Sequence, residues 1–361
     1  MTAQPEPPPE TAPRASRLVS VLDDLPRVPL GHWPTPLEPL PRLRDALGGG
    51  PRLWCKREDA SGLALGGNKV RKLERHLGVA RARGAGAVVT FGAVQSNHCR
   101  QTAAAAVRCG LEAHLVLSPL VPRHDPVYLA GGNRLLDDLL GAHVHPVDDP
   151  DAAAERADSV VAELAARGLT AHVVPPGGSD AVGTIGWVDG GLELLGQCAD
   201  AGIGPSALVV AASTGGTAAG LRLAADLGGH EELVVEAVDV AGRAETTAAT
   251  IAELRRRALD HLAARAGGDD TDPGTGPVIT TDAHRGPAYG AVTDDMVEAV
   301  RLLARTEGIV CDPVYSGKAL AGLVDGVRRA RWNENDDIVF VHTGGTPALF
   351  AYGDIDWTDG S

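Results

Sequence analysis

The stretch GGNKVRKLE at residues 66–74 places two lysines three positions apart. Lysine is scarce in this chain. Of 33 basic residues, only Lys56, Lys69, Lys72 and Lys318 are lysine, and the rest are arginine. On a solvated surface the two exchange readily. Arginine does not deprotonate in proteins, however, and cannot serve where a neutral amine is needed. Three lysines within residues 56–72 therefore point to amine chemistry. A second stretch able to do chemistry is S-T-G-G-T at 213–217, between an apolar run and a helical run. A helix N-terminus offers unpaired N–H groups and the positive end of the helix dipole, so it binds phosphate. Gly215 and Gly216 allow the backbone close to an anion, and Ser213, Thr214 and Thr217 add hydroxyls. The same letters also suit a plain capped helix after a tight turn. Neither G-x-x-x-x-G-K-[ST] nor G-x-G-x-x-G is present, which disfavours a nucleoside triphosphate or a dinucleotide and leaves a small phosphate monoester. An amine and a phosphate-monoester cradle together suggest pyridoxal phosphate, with a lysine as the Schiff-base partner.

The elements that must position these groups follow from the apolar pattern. AVVTF (87–91), HLVLS (114–118), HVHPV (143–147), ALVVAAS (207–213) and LVVEAVDV (233–240) read as strands, as do the start of HVVPPGGS (172–179) and IVFVHTGG (338–345). Helical runs lie between them at 96–110, 134–143, 151–168, 183–202 and 217–229, with a further helix at 292–308. Alternating strands and helices with near-continuous apolar strands predict an α/β fold of parallel sheets flanked by helices. A chain of 361 residues exceeds what one core usually supports, so two lobes are expected.

Composition narrows the function. The 33 basic and 47 acidic residues give a net charge of −14, against nucleic acid and against an anionic membrane surface. No apolar run is long enough to span a bilayer. The opening MTAQPEPPPETAPRAS lacks the basic start and apolar core of a signal peptide. It reads as a disordered leader over residues 1–16, and a cytoplasmic location is expected. Five scattered cysteines without a C-x-x-C pair speak against a disulfide framework and against a structural zinc site. The Gly/Asp/Pro run at 265–278 reads as an exposed connection without chemistry.

Several longer motifs then carry a resemblance. KREDASGLALGGNKVRKLE (56–74), QSNHCRQTAAAA (95–106), STGGT (213–217), AYGAVTDDMVEAVRLLARTEGIVCDPVYSGKALAGL (288–323) and HTGGTPALFAY (342–352) occur in this order. The chain resembles the D-cysteine desulfhydrase and 1-aminocyclopropane-1-carboxylate deaminase family, pyridoxal-phosphate enzymes of the tryptophan-synthase-β fold type (fold type II). The resemblance covers residues 25–353. It implies that Lys69 is the Schiff-base lysine, that Asn97 meets the cofactor's ring hydroxyl, and that Thr214, Gly215, Gly216 and Thr217 form the phosphate loop beside Ser213. It implies that Ser96 faces the substrate with Tyr289 and Tyr315 nearby, and that two copies form a homodimer. Ser96, Asn97 and His98 open a predicted helix, whose free N–H groups suit a substrate carboxylate. Ser96 also suits a plain helix cap. His98 reads as a hydrogen-bonding neighbour rather than the base, and Cys99 as a packed thiol. Lys72 is expected in a salt bridge or a surface contact. The expected organisation is a large cofactor-binding domain of residues 17–71 and 183–361 with a small domain of residues 72–182.

DPVYSGK at 312–318 bears on the reaction. The deaminase branch resembles this stretch but carries Glu after the tyrosine, where this chain has Ser316. A carboxylate at the pyridine nitrogen favours its protonation, and a hydroxyl does so less. Ser316 is thus expected at the cofactor ring. It points to β-elimination of a good leaving group from a small amino acid, D-cysteine first, giving pyruvate, sulfide and ammonia. L-cysteate sulfo-lyase, the deaminase, or a non-catalytic pyridoxal-phosphate-binding homologue are the alternatives. The α-proton is expected to leave to Lys69 or to Tyr289.

Overall fold

The computed structural model describes residues 14–267 and 273–358. In chain order its strands are β1 (Leu37–Pro39), β2 (Arg52–Arg57), β3 (Ala87–Ala93), β4 (Glu112–Ser118), β5 (His143–Pro146), β6 (Ala171–Val173), β7 (Pro205–Ala212), β8 (Val234–Asp239), β9 (Val278–Thr281) and β10 (Asp337–His342). Its helices are α1 (Arg14–Asp24), α2 (Pro41–Ala46), α3 (Lys69–Ala82), α4 (Asn97–Cys109), α5 (Pro126–Ala130), α6 (Gly132–Leu139), α7 (Ala153–Ala166), α8 (Ala181–Asp200), α9 (Gly216–Leu227), α10 (Ala244–Ala266), α11 (Asp294–Glu307), α12 (Ser316–Arg328) and α13 (Thr346–Leu349).

These strands form two sheets. The larger runs β1-β2-β10-β7-β8-β9, parallel except for β1, which pairs antiparallel with β2. The smaller runs β5-β4-β3-β6 and is parallel throughout. Unbroken apolar runs such as LVVAA in β7 and IVFV in β10 bury both faces, which is why helices must cover both sides. On one face of the larger sheet the core gathers Met296, Leu303, Leu320 and Leu323 from α11 and α12. On the other it gathers Trp187, Leu194 and Leu221 from α8 and α9. The smaller sheet arises from residues 87–173 and packs between α4 on one core and α7 on another. No helix among the described residues is long and apolar enough to cross a membrane.

Three sequence expectations change here. The expected leader falls mostly on residues 1–13, outside the described residues, but residues 14–16 belong to α1. Leu18, Val21, Leu22 and Leu25 recur at helical spacing and bury against α9 and α10, a signal hidden behind the Pro/Glu-rich start. The run at 265–278 has residues 268–272 outside the described ones, and its end is tied to the core. The Gly276 N–H donates to Asp226 at 3.1 Å, and Val278 already belongs to β9. The 23-residue α10 does not stand out in the apolar pattern, because RRR at 255–257 interrupts its buried face.

α3, which carries Lys69 and Lys72, is seated against α8 by close backbone approach. A Cβ on Gly186 of α8 would lie 2.3 Å from the Arg71 carbonyl oxygen. Only glycine permits this spacing, so the packing of α8 decides where α3 presents its lysines. Gly186→Ala is expected to lower unfolding stability by about 1–3 kcal/mol, the usual cost of overpacking. Urea denaturation monitored by tryptophan fluorescence checks this.

Candidate active site

The carboxyl ends of the parallel strands converge on one cavity, as expected for ligand crevices in α/β sheets. Its volume is about 340 Å³. The chain leaves β3 toward Ser96, β7 toward Ser213–Thr217 and β10 toward Thr343 and Gly344, and all of these line the cavity. So do Asn68, Lys69, Lys72, Asn97, His98, Tyr289 and Tyr315. Ser316 does not belong to this wall.

Lys69 sits at the first turn of α3, after a tight entry. Gly66 has φ of +65°, and a Cβ there would lie 2.0 Å from the Asp59 carbonyl oxygen. The Lys69 backbone N–H donates to Gln101 Oε1 at 3.1 Å, which fixes the start of the helix. Its side chain faces the cavity, and burial without an acidic partner lowers the amine pKa to about 8. A neutral amine is therefore accessible near physiological pH, which arginine could not supply.

Gly216 opens α9 beneath the same cavity. A Cβ there would lie 2.8 Å from Lys72 Nζ and 2.7 Å from Ser179 Oγ. Lys72 is fully buried and donates to Ser179 Oγ at 2.8 Å and to the Gly177 carbonyl at 3.1 Å. Ser179 Oγ in turn meets Thr214 Oγ1 at 2.7 Å. Asn68 Nδ2 donates to Thr217 Oγ1 at 2.9 Å. This corrects the expectation of a surface contact or salt bridge for Lys72. Lysines at i and i+3 lie on one helix face, so the second amine of the pair also reaches the glycine loop. Among the described residues no carboxylate hydrogen-bonds it. Burial, then the neighbouring Lys69, pushes its pKa well below the usual lysine range. Helix N–H groups, two threonine hydroxyls and a buried amine around an open glycine are the donor set for a phosphate monoester. The residues present fit pyridoxal phosphate. Lys72, Asn68 and Ser179 are the members that motif spacing alone does not assign.

Across the cavity, Ser96 caps α4, its Oγ accepting from the Cys99 N–H at 3.1 Å. Cys99 is fully buried, and burial pushes its thiol up. Asn97 Oδ1 accepts from Asn133 Nδ2 at 2.8 Å, so its Nδ2 is turned as a donor. Asn133 is set from behind by Arg100, whose Nε donates to Asn133 Oδ1 at 3.1 Å. The Arg100 guanidinium also donates to the Gly66 carbonyl at 2.8 Å and to that of Ala64. One buried arginine thus ties the Asn97 turn to the loop that delivers Lys69. Thr90 Oγ1 donates to the Val174 carbonyl at 2.8 Å, so at the 2.8 Å contact between Thr90 Oγ1 and His98 Nε2 the imidazole is the donor. His98 is then neutral with a free lone pair at Nδ1. Burial, then Lys69 and Lys72, holds its pKa well below the usual histidine range.

Tyr289 and Tyr315 hydrogen-bond to each other through their hydroxyls on the cavity wall. Burial raises both phenols above their ordinary range. Ser316 is placed differently from the sequence expectation. Its Oγ donates to Asp312 Oδ1 at 2.6 Å and accepts from the Asp312 N–H at 2.9 Å. The D-x-x-x-S spacing makes it part of a closed turn at the start of α12. Its hydroxyl proton therefore serves Asp312 rather than the cavity.

A model of the family described as "Pyridoxal-phosphate dependent enzyme" matches residues 28–344. The chain belongs to this family. It is 42% identical over 336 residues to a D-cysteine desulfhydrase of Salmonella choleraesuis (strain SC-B67), covering 92% of this chain and 97% of that one. It is 41% identical to a D-cysteine desulfhydrase of Klebsiella pneumoniae subsp. pneumoniae over the same shares. Among solved structures, one described as an ACC deaminase homologue superposes with a TM-score of 0.81 at 34% identity, covering 94% of this chain and 97% of the other. A threonine deaminase from T.th. has a TM-score of 0.64 at 22% identity, covering 92% and 98%, and shares the fold. The fold is type II of the pyridoxal-phosphate enzymes, as the resemblance implies.

Two outcomes follow from this geometry. Covalent capture of pyridoxal phosphate by cofactor-stripped protein is expected to speed up as pH rises through about 8, where Lys69 loses its proton, and not to wait for the ordinary lysine range near 10.4. Stopped-flow absorbance across pH reads this directly. Asn133→Ala is expected to weaken cofactor retention about tenfold by freeing Asn97, scored by equilibrium dialysis of the cofactor.

Proposed function

We propose that this chain is a pyridoxal-phosphate-dependent carbon–sulfur lyase that converts D-cysteine to pyruvate, sulfide and ammonia. The observation that carries the chemistry is a desolvated, acid-free Lys69 amine sharing one cavity with the Gly216 cradle and the Ser96 helix terminus. The substrate rests on the D-cysteine desulfhydrases that this chain matches along nearly all of its length.

Lys72, Thr214, Thr217 and the first N–H groups of α9 would hold the phosphate, and the Asn97 amide the ring hydroxyl. Bound there, pyridoxal phosphate supplies an electron sink for charge developing at the substrate α-carbon. The Ser96 hydroxyl and the N–H groups opening α4 receive the substrate carboxylate. Lys69 Nζ takes the α-proton. Tyr289 is the weaker candidate for this step, because both phenols are raised above their ordinary range whereas the lysine is lowered to about 8. The electrons of the broken Cα–H bond form the Cα–Cβ double bond, and those of the Cβ–S bond leave with hydrosulfide. The tyrosine pair donates a hydrogen bond toward the departing sulfur. Water then converts the aminoacrylate released to pyruvate and ammonia.

Among the described residues no arginine lines the cavity to meet a β-sulfonate, and Arg100 sits behind the wall, which favours cysteine over cysteate. The deaminase reading keeps one support, the structural likeness to an ACC deaminase homologue. The two-domain division, a cytoplasmic location and a homodimer complete the proposal. Exposed Leu135 and Leu139 on α6 with Phe350 beyond α13 supply an apolar surface for a second copy.

Separate incubations with D-cysteine, L-cysteine, L-cysteate and 1-aminocyclopropane-1-carboxylate are expected to yield pyruvate with sulfide from D-cysteine alone. 2-Oxobutyrate from the cyclopropane would replace this reading with the deaminase. Lys69→Ala is expected to abolish turnover, and full activity in that variant would sink the mechanism.

A further inference from the structure

Three of the chain's twelve histidines meet at the free edge of the smaller sheet. His114 on β4 is the register partner of His143 on β5, the edge strand. Glu112 and His145 lie two residues along these strands and so share the same face. One ligand atom from each of Glu112, His114 and His143 falls within 4.8 Å of the other two. The ring centroids of His143 and His145 stand 4.6 and 5.3 Å from that of His114. His114 is buried, Glu112 is half-buried and His143 is exposed. The proposed reaction uses none of these groups.

Hydrogen bonds order the cluster. Arg156 donates to His145 Nδ1 at 2.9 Å, so the His145 proton is on Nε2. That N–H faces His114 Nδ1 at 3.0 Å, and His114 Nε2–H faces Glu112 Oε2 at 3.1 Å. Arg167 donates to both Glu112 oxygens, at 2.6 and 2.9 Å. Among the described residues the His143 side chain forms no hydrogen bond and only stacks on His114.

We propose that Glu112, His114 and His143 form a site for a divalent transition cation of the zinc class. Two imidazoles and a carboxylate are a set that zinc accepts while keeping a fourth position open for water. Calcium and magnesium prefer all-oxygen shells, which this cluster lacks. The surrounding groups match what ligands of such a site need, with His145 on the far nitrogen of His114 and Arg167 on the carboxylate. Zinc–nitrogen bonds of about 2.0–2.1 Å in a tetrahedron require neighbouring ligand atoms about 3.3 Å apart. The exposed His143 ring closes that gap by turning, because no hydrogen bond restrains it. On binding, the proton of neutral His114 passes from Nε2 to Nδ1 and that of His145 from Nε2 to Nδ1. Arg156 releases His145 and keeps Glu163, which it already holds at 2.7 Å. No proton is gained or lost. The two guanidiniums beside the site oppose the cation, so the site is reversible rather than a permanent structural centre.

The test uses cofactor-loaded protein in thiol-free buffer without substrate. Equilibrium dialysis against zinc, with the metal quantified, is expected to give one zinc per chain. His143→Ala removes an exposed ring and is expected to lose this equivalent with unchanged melting temperature and cofactor content. His145→Ala is expected to weaken binding about tenfold without changing the stoichiometry. Cobalt in place of zinc is expected to show the visible absorption of a tetrahedral nitrogen–oxygen site, absent from His143→Ala. Wild-type protein that retains no zinc, or His143→Ala protein that retains as much as wild type, overturns the proposal.

Discussion

The buried guanidinium of Arg71 holds the architecture around the cavity in place. Glu58 accepts from it twice at 2.8 Å, and Glu193 accepts at 2.7 and 3.1 Å. Its flat face lies 3.9 Å from the centre of a Trp33 ring. Lys56 joins the same network through Glu193 at 2.5 Å and through the Thr35 carbonyl. The network therefore links the end of β2, the N-terminal segment before it, α3 and α8. Removing one member of such a buried set leaves an uncompensated charge and costs about 3–5 kcal/mol. At 100° per residue, Arg71 on the outer side of α3 turns Lys69 and Lys72 toward the cavity. The charges at the back of the helix thus decide the chemistry at its front.

The electrostatics on the front follow one rule. Burial penalises every charge there, and only the amines gain a usable form from it. Lys69 falls to about 8, the tyrosines rise out of reach as bases, and His98 stays neutral between two lysines. One desolvated wall therefore combines a lowered-pKa amine with hydrogen-bond donors, and among the described residues no carboxylate lines it. Arg100 repeats the logic on the other side, where its contacts to Gly66 and Asn133 join the lysine loop to the asparagine turn.

Much of this is legible in the sequence, and the reasons for the rest are physical. Strand–helix alternation discloses both sheets, because strands buried on two faces must be apolar without interruption. That Lys69 and the 213–217 loop share one cavity is legible because few residue types suit a neutral amine or an anion cradle. Lys72 misleads because an i,i+3 pair looks like surface decoration until the far helix closes over it. Ser316 misleads because a hydroxyl's proton goes to the nearest acceptor, and Asp312 four residues earlier is invisible as such an acceptor until the turn forms. Asn133 lies far in sequence from the Asn97 turn that it supports, and only the packing of α6 on α4 brings it to Asn97 and Arg100.

The lysine distribution that opens the sequence has a consequence outside catalysis. Lys56, Lys72 and Lys318 are fully buried, and Lys69 meets solvent only through the cavity. The exterior therefore presents arginine rather than lysine side chains. Amine-directed acylating or cross-linking reagents have no side-chain target on the outer surface. Those small enough to enter the crevice meet Lys69 and Lys72 on its wall, so that side-chain amine labelling of the folded protein reports on the cavity alone.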